Sequence, residues 1–288
     1  MGGLLYCAAA NLAAAGVGDA RIEAEVLLAH VMAASGDRFG RAQLLASLRE
    51  RVPGLAQRLF EGLLGRRLAR EPLAYILGHR EFYGLEIGCR AGALIPRPET
   101  ESLVDIAIGE ARSRGGKIRV VDVGTGSGCI AIAIARDAPS AEVTAIERSA
   151  QALALARENV SAHGLDARVH VVAGDLLNGT GMFDVIVGNL PYVPCTAWDA
   201  LQPEIREHEP RRAIVGGERG TEVIERLIEQ SPSHLVAGGV LALEIDASQG
   251  DSLIRFASSV FAGARLSVLK DLAGLDRVLV VRSCGRAQ

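Results

Sequence analysis

The stretch "IRVVDVGTGSGCIAIAIA", residues 118–135, decides how the rest of the chain is read. Its opening, "IRVVDV", is a near-continuous apolar run, the mark of a strand buried on both faces of a parallel sheet. Gly124, Gly126 and Gly128 follow, letting the backbone turn sharply and pass close to a ligand. "CIAIAIARDA" then resumes as a helix, so the loop opens onto a helix N-terminus, a nucleotide-type pocket in an open α/β sheet. Alone the loop is a weak signal. Its spacing is GxGxG where a dinucleotide fold shows GxGxxG, and a purely structural tight turn would use the same glycines.

Outward from this unit the pattern repeats. "AEVTAIE" (141–147) is a second strand, and "SAQALALARENVSAHG" (149–164) is a helix ending on Gly164. "ARVHVVAGD" (167–175), "FDVIVGN" (183–189) and "VLALEID" (240–246) give three more buried strands. "ARLSVLKD" and "DRVLVVRS", joined by the short "LAGL" turn, read as an antiparallel pair. Strands alternating with helices mean a mostly parallel sheet covered on both faces.

Upstream, residues 1–80 read as helices. "DARIEAEVLLAHVMAASG" opens on Asp19 as an N-cap, carries Ile22, Val26, Leu27, Leu28, Val31 and Met32, and stops at Gly36. "PGLAQRLFEGLLGRRLAREP" puts Leu55, Leu59, Phe60, Leu63 and Leu64 on one side. Arg58, Arg66, Arg67 and Arg70 fall on the other, as a solvated face or a docking surface. "EFYGLEIGCRAGALIPRPETE", punctuated by glycine and proline, is a hairpin and connector. The boundaries expected are a helical docking domain at 1–80, a hairpin linker at 81–97 and a sheet domain at 98–288.

Bulk properties narrow the function. A length of 288 residues with 49% hydrophobic content suits a full core. A net charge of −3 and 4% aromatic residues argue against a nucleic-acid-coating protein. Five scattered cysteines, with no CxxC pair, suit free thiols in a reducing compartment, and the six histidines lack metal-ligand spacing. No metal is expected. The apolar N-terminus lacks a basic n-region, position 6 is Tyr6 where a myristoylation signal needs Ser or Thr, and no run spans a bilayer. A cytoplasmic protein is expected.

Three strand tips carry chemistry beside the glycine loop. Glu147, 25 residues after Asp122, ends the second strand and can accept both hydroxyls of a ribose. Asp175 and Leu176 follow the third, one to accept from an adenine amino group and the other to cover the ring. The fourth strand ends in "NLPY". There Asn189 offers a carboxamide oxygen, and Leu190, held extended by Pro191, aims its carbonyl the same way. Tyr192 offers a flat face for stacking. Two acceptors and an aromatic wall suit an NH2 group on a conjugated system, either a carboxamide or an aminopurine. Solvated rim acids and an ordinary proline turn are the structural alternatives.

"DVGTGSGCIAIA", "AGDLL" and "GNLPYV" resemble class I S-adenosylmethionine-dependent methyltransferases of the Asn-Pro-Pro-Tyr type. More narrowly, "EPLAYILGHREFYGLEI", "LIPRPETE", "HEPRRAIVGGERG" and "KDLAGLDRVLVVR" resemble the HemK/PrmC family, which methylates a glutamine of peptide chain release factors. The resemblance covers nearly the whole chain. It implies a Rossmann-like seven-stranded, mostly parallel sheet with an antiparallel last strand, plus a small N-terminal all-α domain.

It also implies roles. Asp122, Gly124, Thr125, Gly126, Ser127 and Gly128 would hold the methionine part of S-adenosyl-L-methionine, Glu147 its ribose, and Asp175 with Leu176 its adenine. Asn189, Leu190, Pro191 and Tyr192 would hold the glutamine of a Gly-Gly-Gln loop, with Asn189 also touching the cofactor. Arg97 and Glu99 would shape the entrance, and Glu204 to Arg211 would close over the peptide. The partner implied is a release factor; nucleic acid and membrane are not expected, and a monomer is. One departure matters: Leu190 stands where the family has proline, so a fixed φ is lost and an N–H is gained. A looser but working site is expected. Open alternatives are an N6-adenine methyltransferase, a glutamine methyltransferase acting on another protein, and a cofactor-binding protein without catalysis.

Overall fold

A computed structural model describes residues 1–34 and 39–284. Gly36, the expected end of a helix, lies outside the described residues. Five helices come first: α1 (Gly2–Ala14), α2 (Ala20–Ala33), α3 (Arg41–Ala46), α4 (Gly54–Leu68) and α5 (Leu73–Leu77). A hairpin follows, β1 (His79–Phe82) and β2 (Leu85–Gly88). Next come α6 (Glu101–Arg114), β3 (Ile118–Val123), α7 (Cys129–Asp137), β4 (Ala141–Glu147), α8 (Ala150–Ala162), β5 (Val169–Ala173) and β6 (Phe183–Gly188). The chain continues through β7 (Val193–Pro194), α9 (Pro203–His208), β8 (Val215–Gly217), α10 (Glu222–Gln230) and β9 (Leu235–Glu244). It ends with α11 (Gly250–Val260), β10 (Arg265–Lys270) and β11 (Asp276–Arg282).

Two compact units result. One is Met1–His79 together with Gln202–His208, and the other is Arg80–Leu201 with Glu209–Gln288. The first is built around Leu5, Leu12, Leu27, Leu28, Leu44 and Phe60. Its helix α4 differs from the sequence reading in which face is buried. Ala56, Phe60 and Leu64 form the inner stripe at four-residue spacing, while Leu55 and Leu59 face solvent. Arg67 continues that stripe and is only 4% exposed. Its Nε donates to Glu23 at 2.5 Å and its Nη2 to Glu204 at 2.8 Å, and Arg70 donates to the other Glu204 oxygen at 2.6 Å. Paired carboxylates are what allow this arginine to be buried, because an unpaired buried charge costs several kcal/mol. Asp19 precedes α2 as expected, without a side-chain cap bond.

The second unit holds a seven-stranded sheet in the order β10-β11-β9-β6-β3-β4-β5. β3 runs parallel to β4 and β6, β4 to β5, and β6 to β9. The last strand, β11, is antiparallel to both β9 and β10. Successive residues of β3 point to opposite faces: Val120 joins the core beneath α6 and α7, and Val121 the core with α10 and α11. Burial on both faces is why these strands read as continuous apolar runs. From β3 the chain proceeds to β4 and β5 on one side, then returns to β6 on the other. That reversal opens a crevice between the loops after β3 and β6, where open α/β sheets bind ligands. Among the described residues no helix is long and apolar enough to cross a membrane, and no cluster of His, Cys, Asp or Glu is placed to hold a metal ion.

Candidate active site

At the end of β3 the amides of Gly124 and Thr125 both donate to the Ile146 carbonyl at 2.9 Å. Gly124, Gly126 and Gly128 adopt φ of +72°, +59° and +86°, conformations that side chains rarely take. Glu147, at the tip of β4, folds back onto the loop, its oxygens accepting from Gly126 N at 3.0 Å and Ser149 N at 2.7 Å. Asn159 of α8 braces the loop from behind, donating to the carbonyls of Ser127 at 2.8 Å and Gly88 at 3.1 Å. Sequence reading overlooked it, since an asparagine inside a helix pattern carries no local signal.

Asp122 lies beneath the loop and is fully buried. Its Oδ2 accepts from Thr125 Oγ1 at 2.6 Å, and its Oδ1 has no hydrogen-bond partner. Burial pushes its pKa up to about 7, with the Thr125 hydroxyl opposing and the Glu147 charge reinforcing. The folded state therefore holds a proton on Asp122 that the unfolded chain releases near pH 4. At Asp122 the folded state binds more protons than the unfolded state between those values, so this group's contribution to stability falls as pH rises from about 4 to 7 and levels off above. The total is on the order of 4 kcal/mol. Thermal unfolding followed across that window should show, in the difference between the native protein and Asp122→Asn, a stability advantage of the native chain that shrinks as pH rises from about 4 to 7.

The glycine loop and Glu147 border a cleft of about 950 Å³, its open mouth included. Gly124, Thr125, Gly126 and Ser127 form one side, with Ile130, Ile146, Glu147, Asp175, Leu176, Ala213 and Val223 around them. Leu176 has φ of +55°, a left-handed conformation that costs a leucine about 1–2 kcal/mol and places its side chain in the wall. Asp175 lines the cleft at its edge, its Oδ2 accepting from Arg226 at 2.7 Å. Of the sequence-predicted residues here, Asp122 and Gly128 stand behind the lining, one as floor and the other as the cap of α7.

Opposite stands the tip of β6. Asn189, Leu190 and Pro191 line the cleft. Asn189 Nδ2 donates to Thr100 Oγ1 at 2.9 Å, and Thr100 Oγ1 donates to Glu244 Oε2 at 2.6 Å. Tyr192 packs against the core behind the cleft, and its hydroxyl donates to Glu244 Oε1 at 3.1 Å. Glu244 is 1% exposed. Burial pushes its pKa up, while the two hydroxyls and the charge of Arg277 hold it down. Sequence reading missed both Thr100 and Glu244.

Leu190 fills the place of the family proline with packing. It is buried, and its Cδ2 would lie 2.9 Å from a Cβ added to Gly124. The "VGGERG" loop sits against the same turn. A Cβ on Gly216 would fall 2.3 Å from the Pro191 carbonyl oxygen, and one on Gly220 would fall 2.2 Å from that of Tyr192.

The entrance is formed by Gly92–Arg97 and by Pro210 and Arg212. Glu209, 5% exposed, accepts from Ile95 N at 3.1 Å and from the Arg97 guanidinium. Arg212 Nη2 donates to Ser149 Oγ at 2.5 Å. Glu99 is exposed and lies outside the lining. Glu204, expected over the peptide, is held within the helical unit by Arg67 and Arg70.

Residues 4–78 match the family profile described as "PrmC N-terminal domain", and residues 110–202 match "Methyltransferase small domain". The chain is 40% identical over 283 residues to the "Release factor glutamine methyltransferase" of Deinococcus radiodurans, covering 98% of each chain. It belongs to the release factor glutamine methyltransferase family. A solved member of this kind is the release factor-specific protein-(glutamine-N5) methyltransferase of Alicyclobacillus acidocaldarius. It shares 30% identity, with 66% of this chain and 94% of that one covered, at a TM-score of 0.42. A methyltransferase from Pyrococcus furiosus shares the fold at a TM-score of 0.51 and 20% identity, covering 80% of this chain and 99% of that one.

Proposed function

We propose that this chain transfers a methyl group from S-adenosyl-L-methionine to the side-chain nitrogen N5 of the glutamine in the Gly-Gly-Gln loop of peptide chain release factors, in the cytoplasm. The observation that carries the reading is the state of Asn189. Its amino group donates to Thr100 and the residue lines the cleft, so its oxygen is the atom left to accept from a substrate.

The cleft suits an adenosyl sulfonium cofactor. Supporting this, Glu147 lines the cleft as an acceptor suited to ribose hydroxyls, and Leu176, Ile146 and Val223 offer apolar wall suited to a flat ring. The open backbone of the glycine loop suits close approach of the cofactor's amino-acid group, and Asp122 supports that loop from beneath through Thr125. When bound, the cofactor supplies an electrophilic methyl on a sulfonium. An amide nitrogen is a weak nucleophile because its lone pair is delocalised into the carbonyl. The Asn189 oxygen and the Leu190 carbonyl accept its two N–H groups and stabilise positive charge as it grows on nitrogen. Holding nitrogen and methyl in line is the remaining task, and the buried surroundings keep that geometry rigid. As the N–CH3 bond forms the S–CH3 bond breaks, with the neutral thioether as leaving group, and the nitrogen releases one of its two protons to solvent; neither a metal nor a covalent nucleophile takes part in this scheme.

The test is intact-mass analysis of purified release factors after exposure to enzyme and cofactor. One added methyl, mapped to the Gly-Gly-Gln glutamine, is the expected result. Methyl appearing on adenine in nucleic acid, with none on release factor, would overturn it. Leu190→Pro offers a second check. Because the acceptor is a backbone carbonyl, both the native protein and the variant should turn over, within roughly tenfold of one another. The variant should also melt a few degrees lower as buried side-chain packing is lost. Activity in the variant alone would mean that Leu190 disables the native chain.

A further inference from the structure

We propose that Glu244, acting through the Thr100 hydroxyl, is the positioning residue that turns the oxygen of the Asn189 carboxamide toward the cleft, and that its second oxygen holds Tyr192 behind the same turn. The inference rests on the reading that Asn189 receives the glutamine amide.

The argument is one of hydrogen-bond direction. A carboxamide is nearly symmetric in shape, so packing alone distinguishes its oxygen from its nitrogen weakly. Turned the wrong way, Asn189 would present N–H groups to a substrate nitrogen that also carries N–H groups. Something must select the orientation, and the chain of contacts ending on Glu244 does so. In its ionised form a carboxylate only accepts. Thr100 has one hydroxyl hydrogen, and it is committed to Glu244 Oε2 at 2.6 Å. The Thr100 oxygen can then only accept from Asn189, so the Nδ2 side must face it, as it does at 2.9 Å. Glu244 Oε1 takes the Tyr192 hydroxyl at 3.1 Å. Both hydroxyl hydrogens and one Asn189 N–H are thus used in one sense, all three bonds running toward Glu244. Both contacts with Glu244 are shielded from competing water, since Glu244 and Thr100 are each 2% exposed or less.

The fold explains the meeting. In the β6–β9 register Gly188 lies opposite Leu243, which brings the next residue of each strand, Asn189 and Glu244, side by side at the carboxyl edge of the sheet. Thr100 enters from the start of α6, 89 residues before Asn189 in sequence. The charged groups around Glu244 are Arg277 at the start of β11 and Glu99 beside Thr100. Burial, the largest influence, and the Glu99 charge raise the Glu244 pKa, while the Thr100 and Tyr192 hydroxyls and Arg277, itself held by Asp271 at 3.1 Å, favour the ionised carboxylate.

Three isosteric or near-isosteric variants test this. Thr100→Val keeps the shape and removes the hydroxyl; kcat for release-factor methylation should fall at least about tenfold, the worth of one buried hydrogen bond. KM for the release factor and the Kd for S-adenosyl-L-methionine should stay within about threefold. Thr100→Ser restores the hydroxyl and should recover most of the lost kcat. Glu244→Gln replaces one acceptor oxygen by a donor and lets the line reverse, so kcat should fall at least about tenfold with little change in cofactor affinity.

A second readout needs no turnover. The Asn189 side-chain NH2 signals of 15N-labelled protein, assigned by their loss in Asn189→Ala, should be exchange-protected in the native protein and in Thr100→Ser. They should move and lose protection in Thr100→Val and Glu244→Gln. Equal kcat in Thr100→Val and Thr100→Ser overturns the proposal, whether both are fast or both are slow. So does native kcat in Glu244→Gln with the Asn189 signals unmoved. If the native protein leaves release factors unmodified, or Asn189→Ala is fully active, the functional reading itself falls. If Asn189→Ala is inactive while Thr100→Val and Glu244→Gln turn over normally, only this inference falls.

Discussion

Replacing Asn189 by alanine should lower kcat for release-factor methylation by about 10³-fold, the upper part of the range seen when one preorganised charge-stabilising hydrogen bond is removed. The reason lies in the substrate. An amide nitrogen gains nucleophilic character only as its lone pair withdraws from the carbonyl, and its N–H groups grow more acidic as it does so. An acceptor fixed opposite those groups therefore binds the transition state more strongly than the resting amide, and its loss appears in kcat before KM. Asn189 stands at the cleft wall with its amino group tied to Thr100 at 2.9 Å, so the oxygen costs no reorganisation at the moment of transfer. Affinity for S-adenosyl-L-methionine should change little, because the glycine loop and Glu147 are organised by bonds to Ile146, Gly126 and Ser149. Single-turnover rates by intact mass, with cofactor titrations by calorimetry, would check both halves. A variant that keeps kcat but loses cofactor affinity would show that Asn189 serves the cofactor instead of the glutamine.

How much of this could be read in advance depended on whether a signal was local. The sheet was legible because strands buried on both faces write unbroken apolar runs, and each run here stops on a residue that turns toward the crevice. Glu147, Asp175 and Asn189 were found in this way, as polar residues at strand tips. Glu244 sits at the tip of β9 just as visibly. Its partners come from the β6–β9 register and from a helix start far upstream, and neither is written near it. Arg67 failed for a related reason. Helical spacing grouped it with solvated arginines, but a second carboxylate, Glu204, arrives from 137 residues downstream and makes its burial possible. Leu55 and Leu59 were placed inside because apolar residues dominate one side of that pattern. Ala56, small enough for helices to approach closely, takes the inner position instead. The glycines of "VGGERG" were visible as a motif, yet their reason is a backbone contact that sequence alone does not display.

That contact sets up the largest structural effect expected. Gly216→Ala should cost on the order of 3 kcal/mol of stability, measured by urea unfolding, and at least about 10²-fold in kcat. A methyl group at Gly216 would lie 2.3 Å from the carbonyl oxygens of both Pro191 and Gly220, and 2.9 Å from the Pro191 carbonyl carbon. Those neighbours are backbone, so no side-chain rotation relieves the clash. The short β7–β8 pairing, where Val193 lies opposite Val215 and Pro194 opposite Gly217, must open instead. Opening it drags the turn that carries Leu190 and Pro191, and a displacement of about 1 Å at a reacting group suffices for a 10²-fold loss. Gly62→Ala is the control. Gly62 lies within α4 with nothing inside 4 Å of an added Cβ, so alanine there should be neutral or stabilise by up to about 1 kcal/mol. If Gly216→Ala were as well tolerated as Gly62→Ala, the turn after β6 would be soft enough to yield. The tight carbonyl geometry on which amide recognition at Asn189 and Leu190 depends would then lose its support.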